Sequence, residues 1–140
     1  MSDVIWKEQP PPVVNENPAV WDLVLNDLAH STCEHPGQKM SMDLLIEDIK
    51  KRDQVGLQRY GTRLQAFNGR NALQDAYEEM LDAVVYLRQT LQEMVQTQAL
   101  IITPKGEARR KTIETLYGQT LQMSMMTKFM LYTLEKEKNE

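Results

Sequence analysis

The sequence predicts an all-α protein, an antiparallel helical bundle of about four helices whose core is completed by oligomerisation. Three observations predict it. Apolar residues recur at spacings of three and four along four separate stretches, the signature of amphipathic helices. Aromatics make up only 6% of a chain that is 41% hydrophobic, so packing falls to Leu, Met, Val and Ala, a composition that suits packed helices. The stretches are separated by Pro, Gly or Asn-Gly, which punctuate helices.

Residues 1–16 read as an extended arm. Gln9-Pro10-Pro11-Pro12 favours polyproline II and cannot enter a helix interior. Ile5 and Trp6 are its candidate docking residues, and a proline-rich recognition ligand is the alternative. Residues 17–140 read as a single helical domain. Asn17-Pro18 offers a cap residue followed by Pro at the first helical position. Val20, Trp21, Val24, Leu25 and Leu28 then carry the first helix to about Ala29. His30 to Gly37 reads as a loop by its Pro and Gly. His30, Cys33 and His35 in that loop are the only His and Cys of the chain, so they lack a second ligand pair and a plain loop is expected rather than a zinc site.

Ser41 is placed to cap the second helix, with Asp43 favourable in its first turn and an end near Leu57. Met42, Leu45, Ile46, Ile49 and Gly56 form its apolar stripe, and Asp53 falls in the middle of it. A carboxylate there is costly unless paired or bound to a cation. It marks either a functional site or a pairing with a buried Arg, unless the helix has rolled to the surface by that point. Asp48, four residues before Arg52, could form a helix-surface ion pair. Gly61 sits as the residue that ends this helix, and Asn68-Gly69 marks a turn.

Asn71 and Gln74 have the spacing of a capping box for a long third helix to about Gln98. Residues 101–106 break the chain with Pro104 and Gly106. The last helix, from about Glu107 to Lys136, opens with Lys105, Arg109, Arg110 and Lys111 at the end its dipole disfavours. That placement implies an anionic partner or acids on another helix. From Leu116 to Leu134 apolar residues stand on nearly every side, which in a short chain implies a subunit interface.

Composition narrows the function. A net charge of −4 gives no general attraction to DNA or RNA, so no nucleic-acid polymer partner is expected. A single cysteine excludes an internal disulfide framework and fits a reducing compartment. No signal peptide is evident, and no apolar run nears the 18 residues of a membrane span. The expectation is a cytoplasmic protein (host cytoplasm if viral) without a membrane partner. No Walker loop, GxGxxG, GxSxG, HExxH or EF-hand pattern occurs, and a nucleophilic triad is not expected with two His and one Cys.

The candidate chemistry lies in residues 71–88. Asp75, Glu78, Glu79 and Asp82 stand within eight residues, with no Lys or Arg until Arg88. At about 100° per residue they share one strip of helix with Tyr86. Leu73, Tyr77, Met80, Val84, Leu91 and Val95 take the opposite, core-facing strip. Such a strip is either a solvated face or a site where a divalent cation with oxygen ligands offsets the repulsion. Before it, the connection of residues 59–70 gathers Arg59, Arg63 and Arg70 with Tyr60 and Phe67. Arginine forks suit phosphate and rings suit a base, though an ordinary loop with aromatic anchors has the same composition.

Glu78-Glu79-Met80-Leu81-Asp82, followed by Val85-Tyr86-Leu87, resembles the EExxD segment of the all-α nucleotide pyrophosphohydrolases, the MazG-like, dCTP pyrophosphatase and dimeric dUTPase relatives. Arg52-Asp53, Gly56 and Arg59-Tyr60-Gly61-Thr62, with Asn68-Gly69-Arg70 and the run from Leu73 to Glu79, are similar to small phage MazG-like proteins. Some of these, called MazZ, are dATP/dGTP diphosphohydrolases. The resemblance covers roughly residues 41–92.

It implies a helical homo-oligomer, dimer or tetramer, that hydrolyses a nucleoside triphosphate between the α and β phosphates with Mg²⁺ or Mn²⁺. The family's ExxD maps onto Glu79 and Asp82. Its ExxE has no clean match, and Asp53 and Asp48 are the expected substitutes. On this reading Glu79, Asp82, Asp53 and Asp48 hold metal, and Glu78 joins Glu79 and Asp82 in catalysis by orienting water. Arg52, Arg59, Tyr60, Arg63, Asn68, Arg70 and Tyr86 contact the nucleotide, with the Lys105–Lys111 cluster adding positive charge. A non-catalytic nucleotide-binding oligomer, which sequesters or senses nucleotides, is the alternative. A helical assembly protein with a merely solvated acid strip is the third reading.

Overall fold

A computed structural model of the chain describes residues 8–97 and 102–140. It contains four helices: α1 (Val20–Ala29), α2 (Pro36–Tyr60), α3 (Ala72–Gln96) and α4 (Pro104–Lys138). No strand occurs among the described residues, so the all-α expectation holds. No helix is long and apolar enough to cross a membrane. Ile5 and Trp6 of the arm, and residues 98–101, lie outside the described residues.

Helix starts differ from the expected ones, each for a local reason. α1 begins three residues after Asn17, with Ala19 as its cap. The Asn17 side chain is used elsewhere, donating to Asn15 Oδ1 at 2.9 Å. Ala19 is held extended by a bridge to Gln65, and the Val20 N–H donates to the Leu64 carbonyl at 2.8 Å. α2 begins at Pro36 instead of Ser41, and α4 at Pro104 instead of Glu107. Both prolines occupy the first helical position, where a missing N–H costs nothing and φ is already helical. The caps before them are His35, whose Nδ1 accepts from the Gly37 N–H at 3.1 Å, and Thr103, whose hydroxyl accepts from the Gly106 N–H at 3.0 Å. A loop-like Pro-Gly and a Pro-Lys-Gly were therefore first turns of helices.

Two expected boundaries hold. Gly61 ends α2 with φ +72°, and its N–H donates to the Leu57 carbonyl at 2.8 Å. Asn71 caps α3, its side chain accepting from the Gln74 N–H at 3.1 Å.

The chain divides into two compact units, Glu8–Arg70 and a second that runs from Asn71 to Glu140. In the first, α1 packs on α2, and the arm lies along the connection that follows α2. The Val13 N–H donates to the Asn68 carbonyl at 2.8 Å. Gln65 Nε2 donates to the carbonyls of Asn15 (2.8 Å) and Asn17 (2.6 Å). Asn15 Nδ2 donates in turn to the carbonyls of Ala66 (2.8 Å) and Phe67 (3.1 Å). This last pair holds a strained residue: Phe67 has φ +56°, a left-handed conformation that costs a residue with a Cβ roughly 1–2 kcal/mol.

In the second unit α4 packs along α3. The Thr127 hydroxyl reaches Met80 Sδ at 3.5 Å, and Lys128 Nζ lies 5.7 Å from the centroid of the Tyr77 ring. As the residue number rises along α3 it falls along α4, so the two run antiparallel. Leu73, Tyr77, Met80, Val84 and Leu91 are half-buried as the core strip requires, while Val95 is exposed. No hydrophobic side chain among the described residues is fully buried.

Glycine substitutions separate conformational from packing effects. Nothing lies within 4 Å of a Cβ added at Gly61 or at Gly118. Gly61→Ala forces a left-handed alanine and lowers stability by about 1 kcal/mol. Gly118→Ala, inside α4, raises it by about 0.5–1 kcal/mol. Urea unfolding followed by circular dichroism measures both.

Candidate functional site

The acid strip of α3 forms as one unbroken helical face. Glu79 and Asp82, a single turn apart, are exposed. Asp75 and Glu78 are half-buried beside them, and Tyr86 continues the strip, exposed. Glu78 is oriented from below: Gln74 Nε2 donates to its Oε1 at 3.2 Å, and Gln74 is itself buried. One oxygen of Glu78 is thus fixed by a held amide. Within the α3–α4 unit neither Glu79 nor Asp82 is ion-paired with a Lys or Arg of the described residues.

Asp53 on α2 has a different environment. It is only 7% exposed, as its place on the apolar stripe predicts. Arg63 satisfies it completely. Arg63 Nε donates to both Asp53 oxygens at 3.2 and 3.1 Å, and Nη2 donates to Oδ2 at 2.7 Å. The same guanidinium turns its outer edge to Asp22 of α1, with Nη2 to Oδ1 at 2.6 Å and Nη1 to Oδ2 at 3.1 Å. Pairing with arginine, one of the readings open for Asp53, is the arrangement present. Two carboxylates raise the Arg63 pKa further above its ordinary value. Asp22 is held below its ordinary 3.8, first by the Arg63 hydrogen bond, with charge attraction adding and desolvation opposing.

Asp48 does not share a face with Asp53. Five residues of continuous helix set the two about 140° apart, and Asp48 is exposed. The surface ion pair of this turn is Glu47–Lys51 at 2.9 Å rather than Asp48–Arg52. Among the described residues, no three His, Cys, Asp or Glu side chains converge as a metal-binding group.

The remaining predicted ligands have definite places within the first unit. Arg52 and Arg59 are exposed, and Arg59 stacks on the exposed Tyr60 ring, 5.4 Å from its centroid. Asn68 is buried in the turn, its Oδ1 accepting from the Arg70 N–H at 3.1 Å. Arg70 Nη1 donates to the Pro10 carbonyl at 2.9 Å, which ties it to the arm. Phe67 projects into solvent. In α4 the acids that answer Arg110 lie on its own helix, Glu107 (2.6 Å) and Glu114, rather than on another. The Arg110 hydrogen bond lowers the Glu107 pKa more than any other contact. Lys105, Arg109 and Lys111 are exposed.

Sequence reasoning did not single out Asp22. Its only signal was an acid in the first turn of α1, which helix-dipole chemistry explains without any partner.

Comparison with protein families, curated proteins and solved structures finds no match to this chain.

Asp53→Asn removes the charge that Arg63 holds inside the stripe and lowers the unfolding free energy by about 1.5–3 kcal/mol; a loss under about 0.5 kcal/mol, the range of ordinary surface substitutions, contradicts the pairing. Asp22 titrates below 3.8 in the folded chain, so its stabilisation is fully present above that pH and is lost as pH falls through the lowered value. Asp22→Asn therefore flattens the acid limb of the stability curve below pH 3.8, measured by denaturant midpoints across pH.

Proposed function

We propose that the chain is a divalent-metal-dependent nucleoside triphosphate pyrophosphohydrolase of the MazG-like kind, acting as a homo-oligomer (dimer or tetramer). Its substrate is a nucleoside triphosphate, a purine deoxynucleotide such as dGTP or dATP, and its products are the monophosphate and pyrophosphate. The observation that carries the reading is the α3 strip: exposed Glu79 and Asp82 one turn apart, without a basic partner in their unit, beside a Glu78 oriented by Gln74.

The donor set suits the ion. Mg²⁺ is bound by one or two carboxylates and completes its shell with waters and phosphate oxygens, which Glu79 and Asp82 can offer from a single helix. The ion supplies charge neutralisation to the polyphosphate. The protein's own part falls to Glu78. A general base needs a fixed direction, and Gln74 fixes one Glu78 oxygen and leaves the other to orient and deprotonate water. Tyr86, exposed on the same strip, presents a ring face to a base.

The second reading, nucleotide binding without turnover, is favoured by Asp53. Both its oxygens are engaged by Arg63, and Asp48 stands on another face, so Asp53 and Asp48 do not form a pair of acids in place of the family's ExxE.

Incubation with each dNTP and Mg²⁺ or Mn²⁺, with products resolved by chromatography, separates the readings. The proposal expects monophosphate and pyrophosphate, abolished by Glu79→Gln and slowed about 100-fold or more by Glu78→Gln. Tight binding without products supports the second reading. No binding and no thermal shift with Mn²⁺ and nucleotide leaves the strip a solvated face.

A further inference from the structure

α4 presents a second surface that α3 does not cover. Its buried and half-buried positions, among them Ile113, Tyr117, Ser124 and Leu131, centre on one side. About 100° away runs a seam of Leu116, Met123, Met126, Met130 and Leu134. These side chains are between 42% and 67% exposed. With Gln119 they follow spacings of 3, 4, 3, 4 and 4 residues, the near-heptad repeat of helices that pack along each other. The seam covers 19 residues from Leu116 to Leu134, about 28 Å of helix, and carries no charged residue along its line.

We propose that this seam packs on the same seam of a second copy of the chain, antiparallel about a two-fold axis near residue 125. The surface is self-complementary in the sense a two-fold interface demands: an uncharged apolar line meets its own copy with no like-charge repulsion. The antiparallel sense follows from its ends. Lys105, Arg109, Arg110 and Lys111 give the first end a basic excess, while the last turns mix Glu135, Glu137 and Glu140 with Lys136 and Lys138, so antiparallel packing keeps the two basic ends apart and opposes the helix dipoles. Parallel packing would set each basic end against its own copy. Leu116 of one copy then faces Leu134 of the other, and Met123 meets Met126.

The inference gives a surface and an orientation to the oligomer in the proposed function. It is tested without nucleotide, so its failure and that of the hydrolase reading are distinguishable. Sedimentation equilibrium of the full chain is expected to give the mass of a dimer or its multiple, and Met126→Glu with Met130→Glu to raise the dissociation constant at least 100-fold while circular dichroism keeps the helical signal. In a Cys33→Ser background, Leu116→Cys with Leu134→Cys is expected to form a disulfide-linked dimer under mild oxidation, and Leu116→Cys alone is not. A wild-type monomer at 100 μM overturns the proposal. So does a monomer that sediments with phosphatidylcholine–phosphatidylserine vesicles, or a dimer untouched by the two glutamates. Cross-linking through Leu116→Cys alone overturns the antiparallel arrangement. Should the glutamate variant lose its helical signal, the cysteine pairs decide.

Discussion

The first unit depends on one guanidinium. Arg63 gathers Asp22 from the first turn of α1 and the buried Asp53 from the apolar stripe of α2, and it belongs itself to the connection that follows α2. Three segments with little apolar surface to share are thereby fixed at one point. An isolated carboxylate at 7% exposure would cost several kcal/mol. A fork with donors on two edges removes that cost and uses its spare edge to hold α1. Lysine could not do this, since its ammonium is a point charge without two planar edges. The network continues outward: with residues 63–65 held, Gln65 and Asn15 pin the arm, and the arm holds Phe67 in its left-handed conformation.

The second unit follows another logic. α3 is amphipathic in the simple sense, with an apolar strip against α4 and carboxylates opposite. α4 is apolar on more sides than one neighbour can cover. No hydrophobic side chain reaches full burial anywhere in the described chain. Met123, Met126 and Met130 of α4 stay exposed, and methionine's flexible thioether suits the packing proposed for that surface.

Much of this was legible in the sequence. Spacing alone identified four helices, the Gly61 stop and the Asn71 cap, because those features are local and each has one chemical cause. The starts of α1, α2 and α4 were not legible, for two reasons. Pro36 and Pro104 read as breaks, whereas a proline in a first turn is helical once His35 or Thr103 supplies the cap. Asn17 read as a cap, but Asn15 two residues before it takes its side chain, and the extended Ala19 delays the helix. For the site, the acid strip and the oddity of Asp53 could be read from helical phase. That Arg63 was the answer to Asp53, and that Asp22 shared it, could not. Such a pairing depends on where a loop returns, at a sequence separation of 41 from Asp22 to Arg63, and no periodicity encodes that.

The arrangement separates two kinds of carboxylate that composition counts alike. Asp22 and Asp53 are consumed by Arg63 and build the fold. Glu79 and Asp82 stay exposed on α3 and give the proposed function its chemistry. The most direct measurement of that division is Mn²⁺ binding by electron paramagnetic resonance, with a purine triphosphate analogue that resists cleavage between the α and β phosphates. The account expects bound Mn²⁺ in the wild type, lost in Glu79→Gln and in Asp82→Asn, and retained in Asp22→Asn. Binding that survives both α3 substitutions, or that depends on Asp22 instead, would contradict it.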